Sequence, residues 1–136
     1  MPIFDRLPEA FAAARERVPG PAYAPVVTLA LVGLNLLVNI GATTAFAVSG
    51  RSETFRNFLL WQLIGSAFGL GTQLTFAGLV RTSSVQLASA VGIGLAFVLA
   101  EIVTAYRLFH EPFTTIQWTG VGVVFVGLML LVWGRA

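Results

Sequence analysis

The chain has 136 residues, of which 57% are hydrophobic and 10% charged, and its mean hydropathy is +0.85. Soluble domains carry about 25% charged residues, so this chain cannot cover a water-facing surface, and lipid is its expected solvent. It has no cysteine, no lysine and a single histidine, which excludes disulfides, thiolate and Schiff-base chemistry and multi-histidine metal sites. We predict an all-α membrane protein that is not an enzyme and has no cofactor or metal.

Residues 1–18 form the only charged stretch of any length. Apolar and charged residues alternate in it with helical spacing, which predicts a short amphipathic helix lying in the membrane interface. A partly ordered tail is the alternative. Because charge continues to Arg17 before any apolar run, a cleavable signal peptide is not expected. We therefore divide the chain into an N-terminal interfacial segment and linker, 1–24, and a transmembrane domain, 25–136.

Four apolar segments follow, at about 25–48, 55–80, 84–109 and 114–133. Each is long enough to cross a hydrocarbon core of about 30 Å with some tilt. The connections between them are very short, so consecutive helices must be antiparallel neighbours. The fold class predicted is thus four antiparallel transmembrane helices preceded by a short amphipathic segment.

The arginines predict how the chain crosses the membrane. Their positions near predicted helix ends indicate membrane topology, and we do not expect nucleic-acid binding. A cytoplasmic N-terminus places five arginines inside and three outside, which is the favoured arrangement. Without the N-terminal segment the two counts nearly balance, so dual insertion stays an alternative. The inner group is Arg6, Arg15, Arg17, Arg81 and Arg135, and the outer group is Arg51, Arg56 and Arg107.

Small residues recur on two predicted helices and mark candidate packing surfaces. In the third helix Gly92 and Ala96 belong to a row at four-residue spacing, and in the fourth Gly120 and Gly127 are seven apart. Such rows let another backbone approach closely. Packing within one chain explains them equally, but four short helices enclose little volume. A homodimer, a heterodimer or a larger membrane complex is therefore predicted.

Polar residues inside the spans are candidate substrate contacts, because burying them in lipid is costly. They are Asn35, Asn39, Gln62, Gln73 and Glu101. For each amide the alternative is a hydrogen bond between helices. The Glu101 carboxylate can bind a proton or a cationic group, or it can pair with a glutamine, with Tyr106 or with an arginine on a neighbouring chain. Near the membrane edges, Arg56 and Arg107 are candidates for a lipid phosphate, with ordinary headgroup anchoring as the alternative.

The turn Phe109-His110-Glu111-Pro112, followed by Trp118-Thr119-Gly120 and an apolar helix, resembles the drug/metabolite transporter superfamily. Its four-helix members include EamA-like and small multidrug resistance-like proteins. The His-Glu-Pro version is similar to the small subunits that flip aminoarabinose-linked undecaprenyl phosphate. The spacing of Gly120 and Gly127 resembles the dimerisation spacing of small multidrug resistance proteins. The resemblance is good over residues 84–134 and loose over 25–80.

This resemblance implies a dimer in the bacterial cytoplasmic membrane that encloses a central cavity and works by alternating access. The five polar residues above would then contact substrate. The first helix departs from the pattern of proton-coupled exporters, because Asn39 lies near the position where they carry a glutamate. A lipid-linked-substrate flippase fits better. The alternative function is a small transmembrane subunit that transports nothing and packs against a larger complex.

Overall fold

The computed structural model describes residues 24–133, and these form four helices joined by three short connections. The helices are α1, Ala24–Gly50, α2, Phe55–Thr82, α3, Val85–Leu108, and α4, Thr115–Trp133. Helices α1 to α3 are long and apolar enough to cross a membrane, whereas α4 contributes the shorter apolar stretch Thr115–Leu131. The all-helical class is confirmed for this part of the chain, and three spans support a multi-pass membrane protein. The predicted N-terminal interfacial segment and Arg135 lie outside the described residues.

Polar side chains at the connections determine where the helices begin. The hydroxyl oxygens of Thr54 and Ser84 each accept a hydrogen bond from the backbone N–H three residues later, which caps α2 and α3. At α4, the Thr114 hydroxyl accepts from the Gln117 N–H, and the Gln117 side chain accepts from the Thr114 N–H. This reciprocal pair is a capping box. Each helix start thereby satisfies N–H groups that have no partner inside the helix.

Helices α1 and α2 form an antiparallel hairpin with the most extensive packing in the molecule. Near one end, the Thr28 hydroxyl donates to the Thr82 carbonyl at 3.4 Å, and near the other the Ser49 hydroxyl donates to the Phe58 carbonyl at 2.9 Å. Because hydroxyls bond to backbone carbonyls at both ends, the hairpin is closed along its whole length.

Two phenylalanines pack on glycines of the opposite helix within this hairpin. A Cβ placed on Gly65 would lie 2.6 Å from the Phe46 ring, and one on Gly41 would lie 2.9 Å from the Phe68 ring. Real Cβ atoms do not approach so closely, so each glycine is needed for the ring opposite it to fit. Small residues thus allow close helix approach where lipid supplies little hydrophobic force.

Helix α3 is wound partly as a π-helix, over Ala90–Leu95 and again over Glu101–Leu108. Residues at four-residue spacing drift by about 40° per step around an α-helix, whereas the wider π turns reduce that drift. The row of small residues at four-residue spacing therefore stays on one side of α3 and is buried along its length. At its two ends, Gly92 approaches Asn35, and the Thr104 and Thr44 hydroxyls are 3.0 Å apart. The row comprises Ala88, Gly92, Ala96, Ala100 and Thr104.

Helix α4 packs on α3 and has no extensive packing with α1 or α2 in the described part of the chain. Leu128 lies on Gly94, and Trp118 packs edge-on against Tyr106, with 5.4 Å between ring centroids. The order across the molecule is α2, α1, α3, α4. Most α4 side chains are exposed, so the described part of the chain covers only the side of this helix that faces α3.

Candidate functional site

The centre of the molecule holds a buried amide network between α1 and α2. Asn35 is fully buried, and its Nδ2 donates to the Thr75 hydroxyl at 2.8 Å and to the Thr72 carbonyl at 3.2 Å. Its Oδ1 accepts from Asn39 Nδ2 at 3.1 Å. Both donors and the carbonyl oxygen of this amide are therefore used by the protein. In this conformation Asn35 joins helices and has no free donor for a substrate.

Asn39, one turn along α1, is oriented by the same network. Its Nδ2 donates to both the side-chain Oδ1 and the backbone carbonyl of Asn35, the latter at 2.9 Å. The amide is half-buried, and its own Oδ1 accepts no hydrogen bond from residues 24–133. Since the two N–H groups are engaged, that oxygen is the atom of Asn39 that can accept a hydrogen bond from a ligand.

Gln62 and Gln73 lie on one face of α2, in helical register with Phe76. Phe76 marks where this face meets α3, because its ring lies 2.9 Å from a Cβ placed on Gly92. Away from that contact, α2 lacks extensive packing with the second half of α3. Gln62 is half-buried and Gln73 exposed, and neither bonds to another described residue. The structure therefore does not join them to the asparagines.

Glu101 begins the second π segment of α3 and is half-buried. Within residues 24–133 its carboxylate makes no hydrogen bond and no ion pair. Tyr106, one of its predicted partners, instead packs with Phe113 and Trp118, with ring centroids 5.2–5.6 Å apart. The carboxylate is thus available to a proton, a cation or a group on another chain.

Arg56 and Arg107 are both exposed and form no ion pair with the described residues. Arg56 lies in the first turn of α2, and Arg107 is the second-to-last residue of α3. Because the α3 row runs parallel to α1, these two arginines are at the same end of the molecule. Their positions suit phosphate contacts at a membrane edge.

An ion pair that the sequence did not predict joins two connections. Arg51, directly after α1, pairs with Glu111 of the α3–α4 connection, and its guanidinium carbon lies 4.0 Å from the Phe109 ring centroid. One feature of the sequence indicated this ion pair: two connections predicted on the same side of the membrane carry opposite charges. The sequence could not show that these residues, 60 positions apart, come into contact.

A shallow concavity lies along the outer surface of α4. Its lining comes from this helix alone, so it is a notch in a helix surface and encloses no ligand by itself. A Cβ placed on Gly120 or Gly127 would meet nothing within 4 Å, so the small-residue face of α4 has room for a neighbour. The lining residues are Thr115, Ile116, Thr119, Gly120, Val123 and Val124.

Comparisons of the chain with protein-family models, with curated proteins and with solved structures gave no match.

Proposed function

We propose that this chain is a small membrane transporter, or a flippase subunit for a lipid-linked substrate, of the drug/metabolite transporter type, acting as a dimer by alternating access. One observation carries the proposal. The fold uses Asn35 for packing, whereas the Asn39 side-chain oxygen, Gln62, Gln73 and Glu101 lie inside apolar spans and form no hydrogen bond with other described residues. Polar groups at membrane depth are costly unless they face water, a ligand or another chain, so their retention favours a binding role.

The proposed arrangement has four antiparallel transmembrane helices and a cytoplasmic N-terminus. The 19 residues of α4 extend about 28 Å at 1.5 Å per residue, close to the hydrocarbon thickness of about 30 Å. Its wholly apolar character after Thr119 favours a span over an interfacial position. On this arrangement the residues without partners lie at membrane depth and the arginines lie near its edges, in the bacterial cytoplasmic membrane.

A dimer supplies the enclosure that one chain lacks. A row of helices in the order α2, α1, α3, α4 leaves one face of α4 open. A second copy paired through that face would enclose a space between the two chains, which alternating access requires. In that space Glu101 would bind a proton or a cationic group. Arg56 and Arg107 would meet a lipid phosphate at the entrance.

Replacing Gly120 and Gly127 together with leucine is expected to reduce the dimer at least tenfold, because the branched side chains fill the face needed for close approach. The matched control is Gly122→Leu, which lies on the opposite side of α4 and is equally open. Native mass spectrometry of detergent-solubilised chain gives the monomer and dimer fractions. A dimer that persists in the double variant would place the pairing surface elsewhere.

The transport proposal is tested in liposomes containing the purified chain and a fluorescent polyprenyl phosphate, with dithionite quenching to follow flipping. Tetraphenylphosphonium uptake tests the cation alternative. We expect flipping at least tenfold above empty liposomes, with Glu101→Gln lowering it severalfold. The control Glu53→Gln removes an exposed acid of the α1–α2 connection and is expected to change nothing.

The competing function, a subunit that transports nothing, makes a different prediction for native purification. A lone dimer stabilised by lipid-linked phosphate supports transport. Stoichiometric recovery in a larger complex, together with no transport of either probe, would overturn the transporter proposal. If Glu101→Gln transports normally at every pH, Glu101 is not a coupling site.

A further inference from the structure

The four helices pair into two hairpins that are tied together differently at their two ends. The α1–α2 hairpin is closed by hydroxyl bonds along its length, and α4 packs on α3. At one end, α2 runs into α3 through the short connection Ser83-Ser84. At the other end no chain segment joins the hairpins, and α2 lacks extensive packing with the second half of α3. The first end is therefore a covalent hinge, whereas the second is held by the packing of α1 on the second half of α3 and by side-chain contacts between the connections.

Arg51 is the side chain that links the two connections at that second end. It projects from the α1–α2 connection and makes two separate contacts with the α3–α4 connection, an ion pair with Glu111 and a cation–π contact with Phe109. These are the described polar and aromatic contacts between the two connections. Nearby, the Thr44–Thr104 hydroxyl contact joins α1 to α3, but no hydrogen bond or ion pair joins α2 to the second half of α3 in residues 24–133.

The backbone of the α3–α4 connection holds Glu111 in position for this contact. His110 has a φ of 54°, the left-handed conformation that commonly ends a helix. It lets the Glu111 N–H donate to the Ala105 carbonyl at 3.0 Å, while the Phe109 N–H donates to the Thr104 carbonyl. Pro112 follows and cannot extend the helix. One fixed turn therefore holds both Phe109 and Glu111 in contact with Arg51.

We propose that Arg51, Glu111 and Phe109 form a releasable latch that holds the two hairpins together at the end opposite their covalent hinge. The Arg51 and Glu111 side chains are 52% and 51% exposed, so water and salt reach the ion pair and it can open. A buried ion pair would stay closed, because separating its two side chains would leave uncompensated charge in the protein interior. Opening the latch lets the start of α2 and the end of α3 move apart. The latch is a property of the folded chain and stands whether or not transport occurs.

The test measures distances between the hairpins in lipid nanodiscs by double electron–electron resonance. The chain has no native cysteine, so spin labels can be placed freely. Asn57→Cys with Leu108→Cys reports the latch end, and Val26→Cys with Leu130→Cys reports the hinge end; these four positions are exposed. The latch variants are Glu111→Gln and the charge swap Arg51→Glu with Glu111→Arg. Glu53→Gln is the control in the same connection.

In Glu111→Gln we expect a longer distance at the latch end, with the longer population raised severalfold and the hinge-end distance unchanged. The charge swap restores the shorter distance, and the control matches the unaltered chain. An unchanged latch-end distance, or an equal change at both ends, overturns the latch.

A second measurement needs no latch substitution. At about 1 M salt the Debye length falls to about 3 Å, so the latch-end distance of the doubly labelled chain with native Arg51 and Glu111 is expected to lengthen. The Glu111→Gln variant, already released, should not respond further. If Glu111→Gln does not fold, the salt response of the chain with native Arg51 and Glu111 tests the latch by itself. The absence of that response overturns the proposal.

Discussion

Gly92→Leu is expected to destabilise the folded chain by about 3 kcal/mol, the upper part of the range for overpacking a close-packed site. Gly92 lies where three helices meet. A Cβ there would already be 2.9 Å from the Phe76 ring and 3.4 Å from Asn35 Oδ1, and leucine adds three further carbons. The larger side chain must push α3 away from α1 and α2. Unfolding of the purified chain by titration with denaturing detergent measures the loss.

The matched control for this prediction is Gly122→Leu on α4, where a Cβ would meet nothing within 4 Å. Both variants gain the same helix propensity, so their difference isolates the steric effect. Gly94→Ala should fall between them, because its neighbour is the flexible end of Leu128. Equal stability of the Gly92 and Gly122 variants would show that α3 does not pack at this junction.

Asn35→Leu is expected to cost about 1–2 kcal/mol, since interhelical hydrogen bonds in membranes contribute about 0.6 kcal/mol on average and at most about 1.7. The leucine has a similar volume but removes the bonds to Thr75 and Thr72. It also removes one acceptor of Asn39 Nδ2. The loss should appear as a lower midpoint in the same detergent titration, whether or not the chain transports a substrate.

Gln73→Leu is the control for the amide network. Gln73 lies on α2 like the threonines that Asn35 contacts, but it is exposed and has no bond to another described residue. We expect its stability to match the unaltered chain, whereas flipping in liposomes should fall if Gln73 contacts substrate. If Asn35→Leu proves as stable as Gln73→Leu, the network does not hold α1 to α2, and Asn35 stays a candidate substrate contact.

Local features of the sequence determined the helices. Hydropathy over about 20 residues is a property of one segment and needs no partner, so the three long apolar helices could be predicted before any contact was known. The same holds for contacts one turn apart. Asn35 and Asn39 are four residues apart, one turn along α1, and the hydrogen bond between them follows from that spacing.

Contacts between helices could not be predicted in this way. Asn35 bonds to Thr75, 40 residues away, and Arg51 pairs with Glu111, 60 residues away. Which side chains meet depends on how each helix is rotated about its axis and how the helices cross. In a uniformly apolar segment the sequence barely constrains that rotation, because lipid and protein neighbours are equally apolar.

The π winding of α3 shows most clearly which features the sequence determines and which depend on the tertiary structure. The sequence by itself determined an apolar helix carrying a row of small residues at four-residue spacing. Only the tertiary structure decided that the helix widens at two segments, which keeps the row from Gly92 to Thr104 against α1. It also decided that Glu101 has no partner among the described residues while Asn35 is fully engaged. The physical reason is that packing against a neighbour selects among backbone windings and side-chain positions that the isolated segment leaves open.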